Sequence, residues 1–526
     1  MWIELLILCV ALFGLFYWYM TKDYNLWKNL GVPQDEPSFP WGSLMGEMVK
    51  QKRPMLEVLR EQYQRFPDAP AYGGYVFHKP VLILRDPELV KTVLIRDFNT
   101  FVDRTGIDLQ AQSKHASKLD QIWSHQLTML QGEKWKAVRS TLSPIFTSGK
   151  MKVMFEFLNF VTTEFVDAIR AKVESQEAFE LKDLCGRLTM DGISSCAFGV
   201  HAGSFKEDET MFVKQAKALF SNSFRSNFVM LIALFSGMTR VLGFFDISLN
   251  KPEPTRFFYN IVKSAIEARK KSGETRNDLV DLMIKCMKAD AVLDEDPSEE
   301  GLEQFEKDAQ LNFKGPKKQF DEVTVVANAM VMLLAGYDTT SNTLAWLFYE
   351  VTRNPDIQER LFQETERFEE PTYSDFTDMP YLECVVNEAL RMYPQATAIS
   401  RGANQDYVLP GVNIPIKKGN DIYVNLAGIH FDPKYYPNPE TFNPDNFSAE
   451  AKASRHPYAF LTFGHGPRAC IGMRFALLEM KMAVFHVIKN FELLPCAETP
   501  LNPEIDPKGG FVSSKHPLLI KATSRQ

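Results

Sequence analysis

The residues from Phe463 to Gly472, Phe-Gly-His-Gly-Pro-Arg-Ala-Cys-Ile-Gly, surround a single thiol with the side chains that thiolate chemistry needs. They stand directly before a helical run that begins near Arg474, so Cys470 falls at a helix N-terminus. There the helix dipole and the free N–H groups favour the ionised sulfur. A thiolate so placed is a strong donor to iron. The glycines let the backbone turn tightly and come close to a flat ligand. With each residue type at about 5% of a chain, the combination Phe463, Gly466, Arg468, Cys470 and Gly472 arises by chance on the order of once in several thousand such chains. The plain alternative is a glycine-rich loop around a buried, inert cysteine.

Three other groups carry chemistry only in combination. Ala335-Gly336-Tyr337-Asp338-Thr339-Thr340 places a carboxylate and two hydroxyls inside an apolar segment, where they cost free energy unless they have partners. A threonine there can bond back to the carbonyl four residues earlier and merely bend the helix. It can also turn its hydroxyl outward, and with Asp338 beside it form a hydroxyl–water–carboxylate path for protons. Glu388 and Arg391 are three residues apart before Tyr393-Pro394. On a helix such a pair is ordinarily a surface contact worth less than about 1 kcal/mol. Trp135 and Arg139 lie one turn apart on one helical face.

The elements that must position these residues are mostly helical. Apolar periodicity predicts helices over Met151–Val173, Phe257–Lys271, Asp321–Glu350 and Phe475–Ile488, and strands over Gly74–Leu84 and Tyr423–Val424. The fold class is therefore mainly α with small β-sheets. The segment Asp321–Glu350 is apolar nearly all round, which marks a helix through the middle of the body. Residues 288–318, rich in charge, glycine and proline, predict a solvated loop. Phe220–Phe245 is rich in phenylalanine and is either a pocket roof, a bilayer contact or ordinary core. Residues 1–20 carry a single charge, Glu4, with Leu5–Met20 apolar and ending in Tyr17-Trp18-Tyr19 before Met20, and residues 1–21 predict an uncleaved transmembrane anchor. Lys22 and Lys28 follow the span, which places the rest of the chain in the cytosol. Residues 22–40 predict a proline-stiffened linker, and 41–526 one large domain. Seven scattered cysteines without paired spacing agree with a reducing compartment. A net charge of −7 gives no reason to expect nucleic acid as a partner.

Taken together, these motifs resemble the cytochrome P-450 family along essentially the whole chain. The Phe463–Gly472 stretch matches that family's haem-binding loop, Ala335–Thr340 its oxygen-activating helix, Glu388–Arg391 its Glu-x-x-Arg helix and Trp135–Arg139 its Trp-x-x-x-Arg helix. The resemblance implies haem b between the long central helix and the cysteine loop, with Cys470 as the iron ligand. It makes Trp135, Arg139, Arg401 and Arg468 donors to the two haem propionates, and Thr339 and Asp338 the route by which protons reach bound O2. The implied activity is insertion of one oxygen atom from O2 into a lipophilic small molecule, with electrons from NADPH through a separate flavoprotein reductase or a cytochrome b-type donor. The animal microsomal branch, and its insect detoxification members in particular, is the nearest likeness. It implies an endoplasmic reticulum location and xenobiotic or steroid-like substrates. Leu334, Ala335, Gln395, Ala396, Ile399 and Phe511 become substrate-facing candidates. Lys134, Lys136, Lys150 and Lys152 form a local basic cluster that either meets an acidic partner or is simply solvated. A haem-thiolate isomerase or dehydratase would share the cysteine loop without needing Asp338 and Thr339, and a haem-based binding or sensor protein, which would not turn over NADPH with added reductase, is a rival of another class. One departure stands out: Asn446 occupies a position where most members carry arginine, in a brace with Glu388 and Arg391.

Overall fold

The structure, a computed structural model, describes residues 1–104, 116–199, 202–206, 210–220, 238–275, 278–287 and 320–525. It is mainly helical with small sheets, as expected. The principal helices are α1 (Trp2–Thr21), α2 (Met55–Gln64), α3 (Gly132–Leu142), α4 (Ser148–Glu174), α5 (Leu181–Phe198), α6 (Pro252–Ser272), α7 (Glu322–Arg353), α8 (Pro380–Met392) and α9 (Met473–Asn490). The expected loop at 288–318 and most of the phenylalanine-rich stretch lie outside the described residues.

The chain is described as two compact units. The first comprises Met1–Thr105, Ala396–Pro439 and His456–Arg468. Its four-stranded sheet runs in the order Ala71–Val76, Lys79–Leu84, Asp421–Val424, Ile399–Gly402, and only the middle pair is parallel. The segment expected as one strand from Gly74 to Leu84 is broken at Phe77, whose φ of 55° makes the hairpin turn.

Within the 22–40 segment, expected as a linker, Trp27 and Val32 belong to this unit's core. Trp27 is fully buried among Tyr75, Leu82 and Val424, and its indole N–H donates to the Gly74 carbonyl. The room exists because residue 73 is glycine: a Cβ there would lie 2.2 Å from the Trp27 ring. Backbone bonds between Asp35, Pro33 and Gly73 extend the pairing. Burial of one large aromatic surface outweighs the stiffness of three nearby prolines.

The second unit comprises Gly106–Gln395, Glu440–Arg455 and Ala469–Gln526. Two helices among the described residues are long and apolar enough to cross a bilayer; the apolar window of α1 is 6% buried and that of α7 is 67% buried, so α7 is a core helix. Asp321 caps it by accepting from the Thr324 amide, an ordinary start for a helix. Small residues let α5 cross it closely. A Cβ at Gly336 would sit 3.1 Å from Ile193, and one at Gly186 would sit 3.4 Å from the Tyr337 ring. Thr189 donates to the Tyr337 carbonyl at 2.9 Å, tying the crossing together.

Candidate active site

The cysteine loop takes its shape from Gly466. Its φ is +74°, and a Cβ would lie 2.1 Å from the Leu94 carbonyl oxygen, so no other residue fits. Gly472 makes no such demand: its φ is −92° and the nearest atom, on Phe146, would be 3.8 Å away. That glycine caps α9, and Cys470, two residues before it, is exposed. The thiol therefore belongs to an exposed residue at the positive end of a helix of 18 residues.

In the first unit, Arg468 donates from Nε to the Val102 carbonyl at 2.9 Å and pairs with Asp103 at 3.1 Å. Arg104 donates to the Arg468 carbonyl. Arg401 is 2% exposed, bonds the Ser400 carbonyl through Nη1, and has no partner for its buried Nε among the described residues. Burial pushes the Arg401 guanidinium well below its ordinary range; Arg104 and Arg468 push it the same way, and Asp103 alone opposes them. Among the described residues, three guanidinium groups and one carboxylate here leave net positive charge, which suits an anion. Arg104 was not anticipated, since an Asp103-Arg104 pair reads locally as self-neutralising.

In the second unit, Trp135 and Arg139 are both buried on α3. Arg139 Nη1 donates to the Ala469 carbonyl at 2.9 Å, fixing the backbone just before Cys470. On α7, Ala335 is exposed and Thr339 and Asp338 are partly so, within a helix otherwise buried over most of its length. Thr339 Oγ1 donates to the Ala335 carbonyl at 2.7 Å. Asp338 is not joined to it. Its carboxylate meets the Lys182 ammonium at 2.6 Å.

The brace is fully formed. Glu388 and Arg391 on α8 are both completely buried, joined by Nε to Oε2 and Nη2 to Oε1, each at 2.8 Å. Oε1 also accepts from the Asn443 amide at 2.9 Å and from Asn446 Nδ2 at 3.0 Å. Asn446 thus shares the oxygen that the guanidinium already uses rather than taking a spare one. The Arg455 guanidinium donates to the Asn446 carbonyl and lies 4.6 Å over the Phe447 ring.

A family model described as cytochrome P450 matches residues 37–522. The chain is 31% identical over 99% of its length, and 98% of the relative's, to cytochrome P450 6k1 of Blattella germanica. It is 32% identical over 97% of its length, and 95% of the relative's, to cytochrome P450 3A29 of Sus scrofa. A probable cytochrome P450 9f2 of Drosophila melanogaster is 30% identical over 97% of both chains. The chain belongs to the cytochrome P450 family. Its reaction class is therefore monooxygenation, and the family implies haem as cofactor. Donor types that suit such a group are present in each unit: in the second a thiol at a helix N-terminus, and in the first a buried arginine cluster with an orphaned N–H.

The remaining substrate-facing expectations divide. In the second unit Ala335 is exposed, but Leu334 is 2% exposed and packs into the core of this P450. Gln395 donates to the Tyr393 carbonyl, and Phe511 is half-buried. In the first unit Ala396 is exposed, and Ile399 lies at the start of its strand, packed against the sheet core. Of the basic cluster, Lys136 is paired with Glu133 at 2.7 Å. Lys182 was missed altogether, because its partner lies 156 residues further along the chain.

Proposed function

We propose that this cytochrome P450 is a membrane-anchored monooxygenase of lipophilic foreign compounds, with xenobiotics the favoured class because its motifs resemble those of the insect detoxification members of the family. The observation that carries the reading is the exposed Cys470 ahead of α9. Cys470 would be the proximal ligand, while Trp135, Arg139, Arg401 and Arg468 would hold the propionates. Phe463, Gly466 and Gly472 would shape the loop around the ring. Haem, once bound, supplies the activation of O2.

The protein's own contribution is placement and protons. Glu388, Arg391 and Asn446 keep the Asn443–Phe447 segment fixed against α8. Asp338 and Thr339, adjacent on α7, hold and pass protons: the carboxylate takes one up and the hydroxyl hands it on after releasing its bond to the Ala335 carbonyl. Ala335 and the apolar residues about it orient a lipophilic substrate and exclude water. The helix α1 anchors the chain in the endoplasmic reticulum, with Lys22 and Lys28 keeping the body on the cytosolic face. Electrons come from NADPH through a separate flavoprotein reductase, with a cytochrome b-type donor as a second source.

The test is the carbon monoxide complex of the reduced full-length protein, followed by turnover with NADPH, added reductase and a panel of lipophilic compounds. A thiolate-type Soret band with oxygenated product is expected. A protein that binds haem without that band, or rearranges peroxides without NADPH, would overturn it.

A further inference from the structure

Two asparagines lie within α7, both buried, and they differ in what their side chains meet. Asn328 uses its whole carboxamide: Nδ2 donates to the Thr324 and His125 carbonyls at 2.7 and 3.0 Å, and Oδ1 accepts from the Leu127 amide at 2.8 Å. Asn342 is 2% exposed, and among the described residues its carboxamide makes no hydrogen bond. The ordinary partner of a helical asparagine is the carbonyl four residues earlier, as the Thr324 carbonyl is for Asn328. For Asn342 that carbonyl belongs to Asp338, and it already accepts from the Lys182 ammonium at 3.3 Å and from Ser341 Oγ at 3.2 Å. A buried carboxamide left without partners costs free energy.

Asn342 opens instead on a cavity of about 260 Å³ in the second unit. One end of that cavity is closed by the Trp346 indole, whose N–H donates to the Val512 carbonyl at 3.0 Å, and the other by the Leu181 amide, which donates to the Leu518 carbonyl at 3.0 Å. Residues 513–517 span the gap between those two bonds. They are held in turn by the Asp506 amide on the Ser513 carbonyl and the Lys515 amide on the Glu504 carbonyl, each at 2.8 Å. At about 30 Å³ per water, the space equals roughly eight or nine waters, enough for a small organic molecule. Neither Cys470, Thr339 nor any expected substrate-facing residue lines it, so it is separate from the candidate active site.

The charges on its wall are already engaged. The Lys182 ammonium is spent on Asp338 and Ser341, Lys515 is paired with Glu504, and Glu180 accepts from the Lys182 and Asp183 amides as the cap of α5. A charged ligand would have to break one of these pairings, whereas a neutral one need not. The deep polar group left to recognise it is a carboxamide, which presents two donors and an acceptor in one plane. An adjacent N–H and C=O on the ligand match that plane with two hydrogen bonds at once, which a single water cannot do.

We infer that this cavity is a binding site for a small neutral molecule bearing a primary amide or lactam. The ligand N–H donates to Asn342 Oδ1 and its carbonyl accepts from Asn342 Nδ2, while its apolar part rests against Ala345, Trp346 and Leu518.

The probe is benzamide, with benzoate and N,N-dimethylbenzamide as comparators that keep the ring but lack the N–H. Titration calorimetry on the full-length haem-loaded protein reads binding anywhere on the molecule, and the Soret band reads binding at the haem. Benzamide is expected to bind one to one without moving the Soret band, and both comparators roughly tenfold or more weaker. Asn342→Leu, of similar size without the amide, should keep the wild-type Soret band and lose benzamide affinity by about the same factor. Asn342→Asp should reverse the preference, taking benzamidine over benzamide, because an amidinium fork matches a carboxylate. If Asn342→Leu does not accumulate, Ser513→Phe, which fills the cavity from its other wall, should abolish benzamide binding instead. No saturable binding of benzamide to the wild type would overturn the inference, leaving water as the partner of Asn342. Binding that moves the Soret band, or that Asn342→Leu and Ser513→Phe leave unchanged, would overturn it equally by placing benzamide elsewhere.

Discussion

Replacing Glu388 should do far more harm than replacing Asn446, although the two side chains touch. Glu388 and Arg391 are each fully buried, and Glu388 accepts four hydrogen bonds, two from Arg391 and one each from Asn443 and Asn446. Glu388→Ala removes the carboxylate that faces a fully buried guanidinium, and breaking a buried pair in this way costs about 3–5 kcal/mol. Against a typical domain stability of about 5–15 kcal/mol, that is a third or more of the total. Asn446→Ala removes one neutral donor at 3.0 Å and leaves Glu388 with the guanidinium fork and the Asn443 amide. The expected cost there is about 1–3 kcal/mol. Urea unfolding midpoints measure the stability, and the pyridine haemochrome measures haem per protein. Glu388→Ala should accumulate little or no haem protein. Asn446→Ala should show a lower midpoint and reduced but substantial haem content, and the double variant should be no worse than Glu388→Ala alone. Equal damage from the two single changes, or no effect of Asn446→Ala, would refute the asparagine as third member of the brace.

Cys470→His should still take up some haem but lose oxygenation, because neutral imidazole lacks the electron donation of thiolate; retention of the red-shifted band by the reduced carbon monoxide complex would show that another residue is the ligand. Thr339→Ala should go on consuming NADPH while product per NADPH falls roughly tenfold or more and peroxide rises, since general acid steps contribute about 10²–10⁴; an unchanged ratio removes Thr339 from the path. Trp27→Ala should destabilise the first unit by about 3–5 kcal/mol, read as an earlier unfolding transition, and truncation before residue 20 should cost far less. Burial raises the Glu479 carboxyl well above its ordinary value of 4.5, and neither oxygen has a hydrogen-bond partner among the described residues. A carboxyl raised on folding favours the native state below its unfolded pKa and loses that advantage as pH rises through the folded one, so wild-type stability should decline from about pH 4.5 upward. Glu479→Gln should flatten that decline and be the more stable protein at neutral pH, and parallel pH curves for the two would contradict the assignment.

What was legible in the sequence was what the chain encodes locally. Helical periodicity placed α4, α6, α7 and α9 to within a few residues, and the Glu388–Arg391 spacing already implied a shared face. The cysteine loop was legible for the same reason, since Gly466 and Cys470 are neighbours in the chain. Contacts made across the chain were not. Lys182 finds Asp338 over 156 residues, and no local pattern marks a lysine at a helix start as an interior cation. Trp27 followed an apolar segment and preceded prolines, so it read as linker; only the gap left by Gly73 reveals it as core. The three members of the brace were legible, but not that the guanidinium fork occupies both carboxylate oxygens at once, so that Asn446 shares one of them.

The burial of Trp27 also sets the length of a leash. The helix α1 ends at Thr21, so only five residues separate it from a side chain locked in the sheet core. Fully extended, they span about 17 Å at roughly 3.4 Å each. With α1 in a bilayer, the first unit cannot drift clear of the headgroups, and the contacts of Phe13, Phe16 and Tyr17 with Phe39 shorten the tether further. A compound that dissolves in lipid is thereby concentrated beside the enzyme in two dimensions, as a linker concentrates a tethered ligand. Apparent affinities expressed against aqueous concentration will therefore change with the amount of membrane in the assay, even when the protein's own binding constant does not.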